Sequence, residues 1–299
     1  MVSKISVVIN TLNEEKNISR AILSVKGFAD EIVVVDMESN DKTCEISEKL
    51  GAKIFTHKKT GYVEPARNFA ISKATGDWVL ILDADEEIPQ TLAKKIKDIV
   101  KSPKADYFRI PRKNIIFGSW IEHTLWWPDY QIRLFRKGKV TWNELIHAVP
   151  ITVGSGADIA AEEKYAILHH NYDFTEQYLE RLNRYTSVQS NLLVKDGYNF
   201  AWTDLIRKPL KEFSNRYFAG EGYKDGVHGL VLSLLQAFSE LTVYIKVWQK
   251  SGFKEEKAGI LEVVSEMKKG EKELHFWQND SLYKKTGNIK YRIRKKLKI

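Results

Sequence analysis

The sequence predicts a doubly wound α/β domain followed by a helical region, on three observations. Short runs of β-branched and aliphatic residues recur through the first hundred residues, separated by stretches with apolar residues at helical spacing. Those runs are apolar throughout rather than alternating, as in strands of a parallel sheet covered on both faces. From residue 174 to 268 the pattern turns helical, with breaks near Gly197, Pro209, Gly222 and Gly252. In chain order, Ile5 to Ile9 reads as the first strand, and Ile18, Ala21, Ile22 and Val25 mark the helix after it. Glu31 to Asp36 is a β-branched strand that ends on an acid. Asn40 or Asp41 caps a helix through Ile46 and Leu50, Gly51 stops it, and Ala52 to Thr56 forms the third strand. A helix from about Glu64 to Ala74 closes at Gly76, Trp78 to Leu82 is the fourth strand, and Leu92, Ile96, Ile99 and Val100 line the next helix. Residues 105–170 read as irregular strands, with Trp120, Trp126, Trp127 and Trp142 crowded together. In the helical region Leu230, Leu234, Phe238, Leu241, Ile245 and Trp248 share one side of a long helix.

With 43% hydrophobic and 29% charged residues, the 299-residue chain is large enough to bury a real core. A mean hydropathy of −0.36 with 7 Pro and 17 Gly argues against disordered or collagen-like classes. The single cysteine, Cys44, cannot form an internal disulfide and points to a reducing compartment. No signal-peptide pattern precedes Ile5, so a cytoplasmic protein is expected. His228, Gln236, Glu240 and Lys246 interrupt the apolar stretch from Val227 to Trp248, which argues against a membrane span. The net charge of +8 is local in origin: residues 284–299 hold eight Lys and Arg and no acid, and the rest of the chain balances 39 basic against 39 acidic residues.

Ligands of open α/β sheets collect at the carboxyl ends of the strands. Here those positions are Thr11, Asn13 and Glu14, then Asp36 and Glu38, then Asp83, Ala84, Asp85 and Glu86. The turn from Thr11 to Glu15 lacks the glycines that a dinucleotide pyrophosphate requires, and no P-loop pattern occurs. Carboxylates suit a nucleotide whose base and ribose offer N–H and hydroxyl donors, with a divalent metal neutralising the diphosphate. Asp83-x-Asp85 at a strand end is the sharpest instance, although such pairs alone are common in turns.

Ile5 to Glu15, Asp30 to Asp36 with Ser39 to Thr43, Ala66-Arg-Asn68, Ala74 to Glu86, Trp127 to Arg136 and His147, with Gly222 to Gly226 more weakly, together resemble the family 2 glycosyltransferases of GT-A fold. Within that family they are most similar to the branch containing lipopolysaccharide inner-core glucosyltransferases. The resemblance implies a Rossmann-like, mostly parallel central sheet with helices on both faces, followed by a helical C-terminal region. With the charge pattern above, it divides the chain into a catalytic domain over 1–170, a helical region over 171–283 and a basic tail over 284–299. Within the first, 1–104 is the nucleotide-sugar half and 105–170 the acceptor and metal half. Carried over by position, Thr11, Asn13, Glu14 and Asp36 surround the nucleotide with Asp36 on the base. Arg67 lies near the base or diphosphate, Asp83 near the ribose with Ala84 beside it, and Asp85 on Mg²⁺ or Mn²⁺. Asp129 matches the acidic base that takes the acceptor hydroxyl's proton, with Trp126 and Trp127 offering flat faces to a sugar. Arg133 and Arg136 approach the diphosphate, and His147 completes the metal site. The sequence departs from the family at Met37-Glu38, where small residues are usual, and at Ala148, where a Glu commonly stands. His169, His170 and Asn171 follow the pattern of a strand lining the acceptor side, without an assigned chemistry.

These expectations describe an inverting, metal-dependent transferase moving a hexose from a nucleotide sugar, a UDP-sugar, to a hydroxyl of a lipopolysaccharide-core or other lipid-linked glycan. The alternatives are a polyprenyl-phosphate glycosyltransferase, a nucleotidyltransferase and a catalytically inactive sugar-nucleotide-binding module. The basic tail interleaves Ile289, Tyr291, Ile293, Leu297 and Ile299 with its cations and suits anionic lipid on the inner face of the plasma membrane. No nucleic-acid-binding motif accompanies it, and no nucleic-acid partner is expected.

Overall fold

A computed structural model describes residues 3–59, 63–143 and 150–298. In chain order the elements are β1 (Ile5–Thr11), α1 (Ile18–Lys26), β2 (Glu31–Asp36), α2 (Thr43–Lys49), β3 (Lys53–Thr56), α3 (Glu64–Lys73), β4 (Trp78–Asp83), β5 (Glu86–Glu87) and α4 (Gln90–Lys101). There follow β6 (Tyr107–Ile116), β7 (Ser119–Trp120), β8 (Asp129–Arg136), β9 (Val140–Thr141), β10 (Ile151–Thr152), β11 (Gly156–Asp158) and β12 (Ile167–Tyr172). The α-helices that follow are α5 (Thr175–Lys195), α6 (Asp204–Ser214), α7 (Gly226–Lys250), α8 (Ile260–Thr286) and α9 (Ile289–Leu297). By contacts the chain forms two compact units, 1–115 with 128–171, and 116–127 with 172–299.

The first unit is built on a sheet of order β3-β2-β1-β4-β8-β6-β12-β5. The strands β3, β2, β1 and β4 are parallel, and β8 joins β4 and β6 antiparallel, so the sheet is mixed. Its two faces follow the period-two alternation of a strand. Val7, Ile9, Val34, Leu80 and Leu82 pack with Ile18, Ile22, Leu92 and Ile96 from α1 and α4. Val8, Val33, Val35, Val79 and Ile81 pack with Ala70 and Ile71 of α3 on the other face. Uninterrupted apolar strands are needed because both faces are covered, which confirms the expected α/β class.

The second unit has its own core, in which Ile116 and Ile121 pack with Tyr172, Tyr178, Leu182 and Leu232. The break expected near Pro209 is absent, for α6 runs through that proline. Gly197 and Gly252 do end elements, at φ of 80° and 76°. By length and composition Gly222–Lys250 is apolar enough to cross a membrane, with a mean hydropathy of 1.5, so its polar interruptions alone do not exclude a span. The structure packs it against α5: Lys246 Nζ donates to the Asn183 carbonyl at 2.6 Å and to Thr186 Oγ1 at 2.8 Å, and Gln236 Nε2 donates to Tyr178 Oη at 2.7 Å. Leu232, Val243, Tyr244 and Val247 are buried.

Candidate active site

Thr11 and Asp36 end β1 and β2 and are register partners, which puts both at one carboxyl edge. Asp36 is buried, and its Oδ2 accepts from the Ser39 amide at 2.9 Å. Among the described residues Asp36 Oδ1, Thr11 Oγ1 and Asn10 Oδ1 are buried without a hydrogen-bond partner. Each such atom costs about 1–3 kcal/mol, so a group of them on adjacent strands marks a place where a polar ligand fits. Asn13 and Glu14 brace this edge. Asn13, left-handed at φ 56°, donates its amide to Ser39 Oγ at 2.8 Å and accepts on Oδ1 from the Asn40 amide at 2.9 Å. Glu14 donates its amide to Thr43 Oγ1 at 2.8 Å and accepts on Oε2 from Asn17 Nδ2 at 2.8 Å. Glu38 also takes a left-handed φ of 65°, a conformation that glycine, lacking a Cβ, adopts at least cost.

Asp83 ends β4 between two guanidiniums, with Arg67 Nη2 at 2.9 Å from Oδ1 and Arg133 Nη2 at 2.5 Å from Oδ2. Burial alone would raise this carboxyl, but Arg133 and Arg67 hold it well below the usual carboxylate range. Arg133 also donates to the fully buried Glu86 at 2.6 Å, and Arg112 Nη1 reaches the same Glu86 oxygen at 3.3 Å. Arg112 continues to Asp129, donating from Nε at 2.9 Å and from Nη2 at 2.5 Å to Oδ2. Asn114 Nδ2 donates to that same oxygen at 3.2 Å, and Gln131 Nε2 donates to Oδ1 at 2.8 Å. For Asp129 burial raises the pKa, but the charge of Arg112 and the bonds from Gln131, Asn114 and Arg112 outweigh it and leave the carboxyl below its ordinary 3.8. The network ends on His169, whose Nδ1 lies 2.6 Å from Asn114 Oδ1 and whose Nε2 lies 3.5 Å from Asp85 Oδ2. Strand pairing accounts for the convergence: Arg112 and Asp129 are register partners on β6 and β8, and the period of two places Asn114, Gln131 and Arg133 on the same side.

The donor set suits a divalent cation. Asn114 donates its amide to Asp129 and so presents Oδ1 to His169 Nδ1–H, which leaves Nε2 as the free imidazole nitrogen beside the Asp85 carboxylate. A carboxylate and an imidazole with substrate phosphate oxygens are a fitting ligand set for Mg²⁺ or Mn²⁺. Among the described residues, no group of three or more His, Cys, Asp or Glu is arranged to hold a metal alone. His147 and Ala148 lie outside the described residues.

One expectation needs correction. Arg136 is not near this network, because β8 runs antiparallel to β4 and sets Arg136 opposite Trp78, at the far end of the strand from Asp83. Its guanidinium lies over the Trp78 ring at 5.0 Å and 3.6 Å from Asp106. The Ala84 side chain is buried in the apolar core beside Asp83 and Asp85. Trp126 packs with the core of the second unit, and Trp127 meets Trp120 edge-on at 5.4 Å. His170 Nε2 lies 2.7 Å from Glu87. Glu86 was named in the sequence only as a strand-end carboxylate, and Arg112, Asn114 and Gln131 were not singled out there. Their trace there is polar residues at a spacing of two inside otherwise apolar strands.

The family model for Glycosyl transferase family 2 matches residues 6–156. This chain belongs to that family. An uncharacterized glycosyltransferase of Rickettsia typhi is 33% identical over 83% of this chain and 88% of its own. The lipopolysaccharide core biosynthesis glycosyltransferase LpsC of Rhizobium meliloti is 22% identical over 84% and 94%. Among solved structures, S. aureus TarS 1–349 in complex with UDP superposes with a TM-score of 0.43 at 17% identity, over 86% of this glycosyltransferase and 94% of that chain. The first unit of the glycosyltransferase carries the whole polar network and all of the family match except residues 116–127.

Proposed function

We propose that this glycosyltransferase inverts at the anomeric carbon, moving a hexose from a UDP-sugar to a hydroxyl of a lipopolysaccharide-core or other lipid-linked glycan. The observation that carries the reading is Asp129, a part-buried carboxylate held ionised by Arg112. Oδ2 takes the bonds from Arg112 and Asn114, and Oδ1 takes the one from Gln131, so Oδ1 is the atom that receives the hydroxyl proton. The acceptor oxygen forms its bond to the anomeric carbon as the bond to the diphosphate breaks on the opposite side, and the electron pair leaves with the diphosphate. Arg67 Nη1 and Arg133 Nε, buried and without partners among the described residues, supply N–H donors for that leaving group. Asp36 Oδ1 and Thr11 Oγ1 receive donors from the base and ribose. Mg²⁺ or Mn²⁺, held by Asp85 and His169, supplies positive charge against the diphosphate.

The likeness to LpsC supports the acceptor class. An acceptor assembled on lipid places the enzyme on the cytoplasmic face of the plasma membrane, attached peripherally through the cations of residues 284–299. Residues 1–170 serve as the catalytic domain in this reading. Calorimetric titration of UDP and UDP-sugars, with and without Mn²⁺, tests the donor site on the wild type and on Asp85→Ala. Metal-dependent binding lost in the variant is expected. Absence of nucleotide binding under every metal condition would overturn the donor assignment.

A further inference from the structure

The structure does not leave residues 284–298 as a loose polycation. α8 ends at Gly287, left-handed at φ 69°, the chain reverses, and Asn288 caps α9 by accepting from the Lys290 amide at 2.9 Å. α9 then lies back on α8, held by one face. Lys295 Nζ reaches Asp280 at 2.5 Å and lies 4.8 Å from the centre of the Phe276 ring, and Tyr291 is half-buried beside it in the helical register. The opposite face carries Ile289, Ile293 and Leu297, four residues apart and 65%, 54% and 61% exposed. Lys290 and Arg294 flank that row on one side and Arg292 and Lys296 on the other, all exposed.

A helix docked by its polar face that presents an apolar row to solvent, with cations on both sides, has the layout of a helix lying in a membrane interface. The apolar side chains enter the acyl boundary while the stems of Lys and Arg lie along it and their charges meet lipid phosphates. A groove on a protein would have to be apolar at its floor and acidic on both rims. An anionic bilayer offers that arrangement everywhere, and no acid occurs in residues 284–299 to oppose it. We propose that α9 is an interfacial membrane helix that seats the enzyme on anionic lipid through Ile289, Ile293 and Leu297. The inference rests on the peripheral location proposed above and adds that apolar insertion, not charge alone, holds the protein there. α7 adds a second exposed apolar row in the same unit, with Val227, Leu234 and Phe238 at 74%, 53% and 49% exposure.

The test is co-sedimentation of the full chain with phosphatidylcholine vesicles, with and without about a third phosphatidylglycerol, at low salt and at about 0.5 M salt. The wild type is expected to bind only the anionic vesicles and to be partly retained at high salt. Ile293→Ser/Leu297→Ser keeps every charge and changes only exposed side chains. It is expected to lose about tenfold in bound fraction with an unchanged thermal melt. Arg292→Gln/Arg294→Gln is expected to weaken binding at low salt and to abolish it at high salt. Equal binding by wild type and Ile293→Ser/Leu297→Ser would overturn the seating of α9 while leaving an electrostatic attachment in place. No wild-type binding to anionic vesicles would overturn the peripheral location itself, and retention on duplex DNA without vesicle binding would reassign the surface to a polyanion. UDP titration of the same variants separates these failures from failure of the donor site.

Discussion

Burial pulls the Asp129 carboxyl upward and Arg112 pulls it downward, and the guanidinium prevails, so the carboxylate is ionised throughout the neutral range. Such a base is weak but always available. Replacing it by Asn keeps the size of the side chain and removes the proton acceptor, and Asp129→Asn is expected to lower kcat by about 10²-fold or more with donor affinity retained. Turnover near the wild-type level would move the reading to an already ionised acceptor such as polyprenyl phosphate, which needs no base. Arg112→Gln removes the charge that lowers the Asp129 pKa and leaves burial to raise it. Activity requires the ionised form, so the acid limb of the pH profile of kcat/KM is expected to lie below pH 3.8 in the wild type and to move upward in the variant. An unmoved limb would show that Asp129 is not the titrating base. Asp36 and Asp85 were legible in the sequence because each stands at or just after the end of a strand-like run, and Asp129 through the family resemblance. Arg112 and Asn114 were not, and Glu86 and His169 carried no role there, because the contacts among Arg112, Arg133, Asn114, Glu86 and His169 come from pairing between segments distant in sequence.

Glu31 at the start of β2 shows how a strand edge is pinned. Its carboxylate accepts from Ser6 Oγ at 2.6 Å and the Thr75 amide at 2.8 Å and pairs with Lys53 at 2.8 Å, joining β1, β2, β3 and the turn before β4. Burial opposes the ionised form, but the bonds from Lys53, Ser6 and Thr75 lower its pKa from 4.5 to about 2. The stability it contributes is therefore fully present above pH 4.5 and is lost as the pH falls toward 2. Glu31→Gln is expected to cost about 1 kcal/mol at pH 7, after allowance for solvent screening, with the deficit shrinking at pH 3. Urea unfolding at the two pH values checks this, and a deficit that does not shrink would assign the effect to packing. The α6 helix gives the complementary lesson: a proline that reads as a boundary is carried inside a helix. Arg207 of α6 pairs with Glu266 of α8, and such tertiary ties can outweigh a local propensity.

Residues 116–127 interrupt the first unit and belong to the second, where Ile116 and Ile121 are fully buried. A chain ending at Asn171 would keep those isoleucines and lose Tyr172, Tyr178, Leu182 and Leu232 that cover them. Exposing each costs about 1.5–3 kcal/mol. Such a chain is expected to bind a hydrophobic dye and to melt below the whole protein, whereas a dye-free, equally stable fragment would show that 116–127 folds without the helices. The amino-acid sequence by itself determined the order of strands and helices in the first hundred residues, the acidic carboxyl edge and the basic character of residues 284–299. Apolar periodicity and turn residues are local, and they survive in one dimension. Strand direction and register are not local. The antiparallel course of β8 carried Arg136 to the far end of the sheet and brought Arg112 to Asp129. The fold of α9 onto α8 turned an alternating basic segment into a helix with one face docked and one face free. Both depend on which distant surfaces bury one another, which no short stretch of sequence encodes.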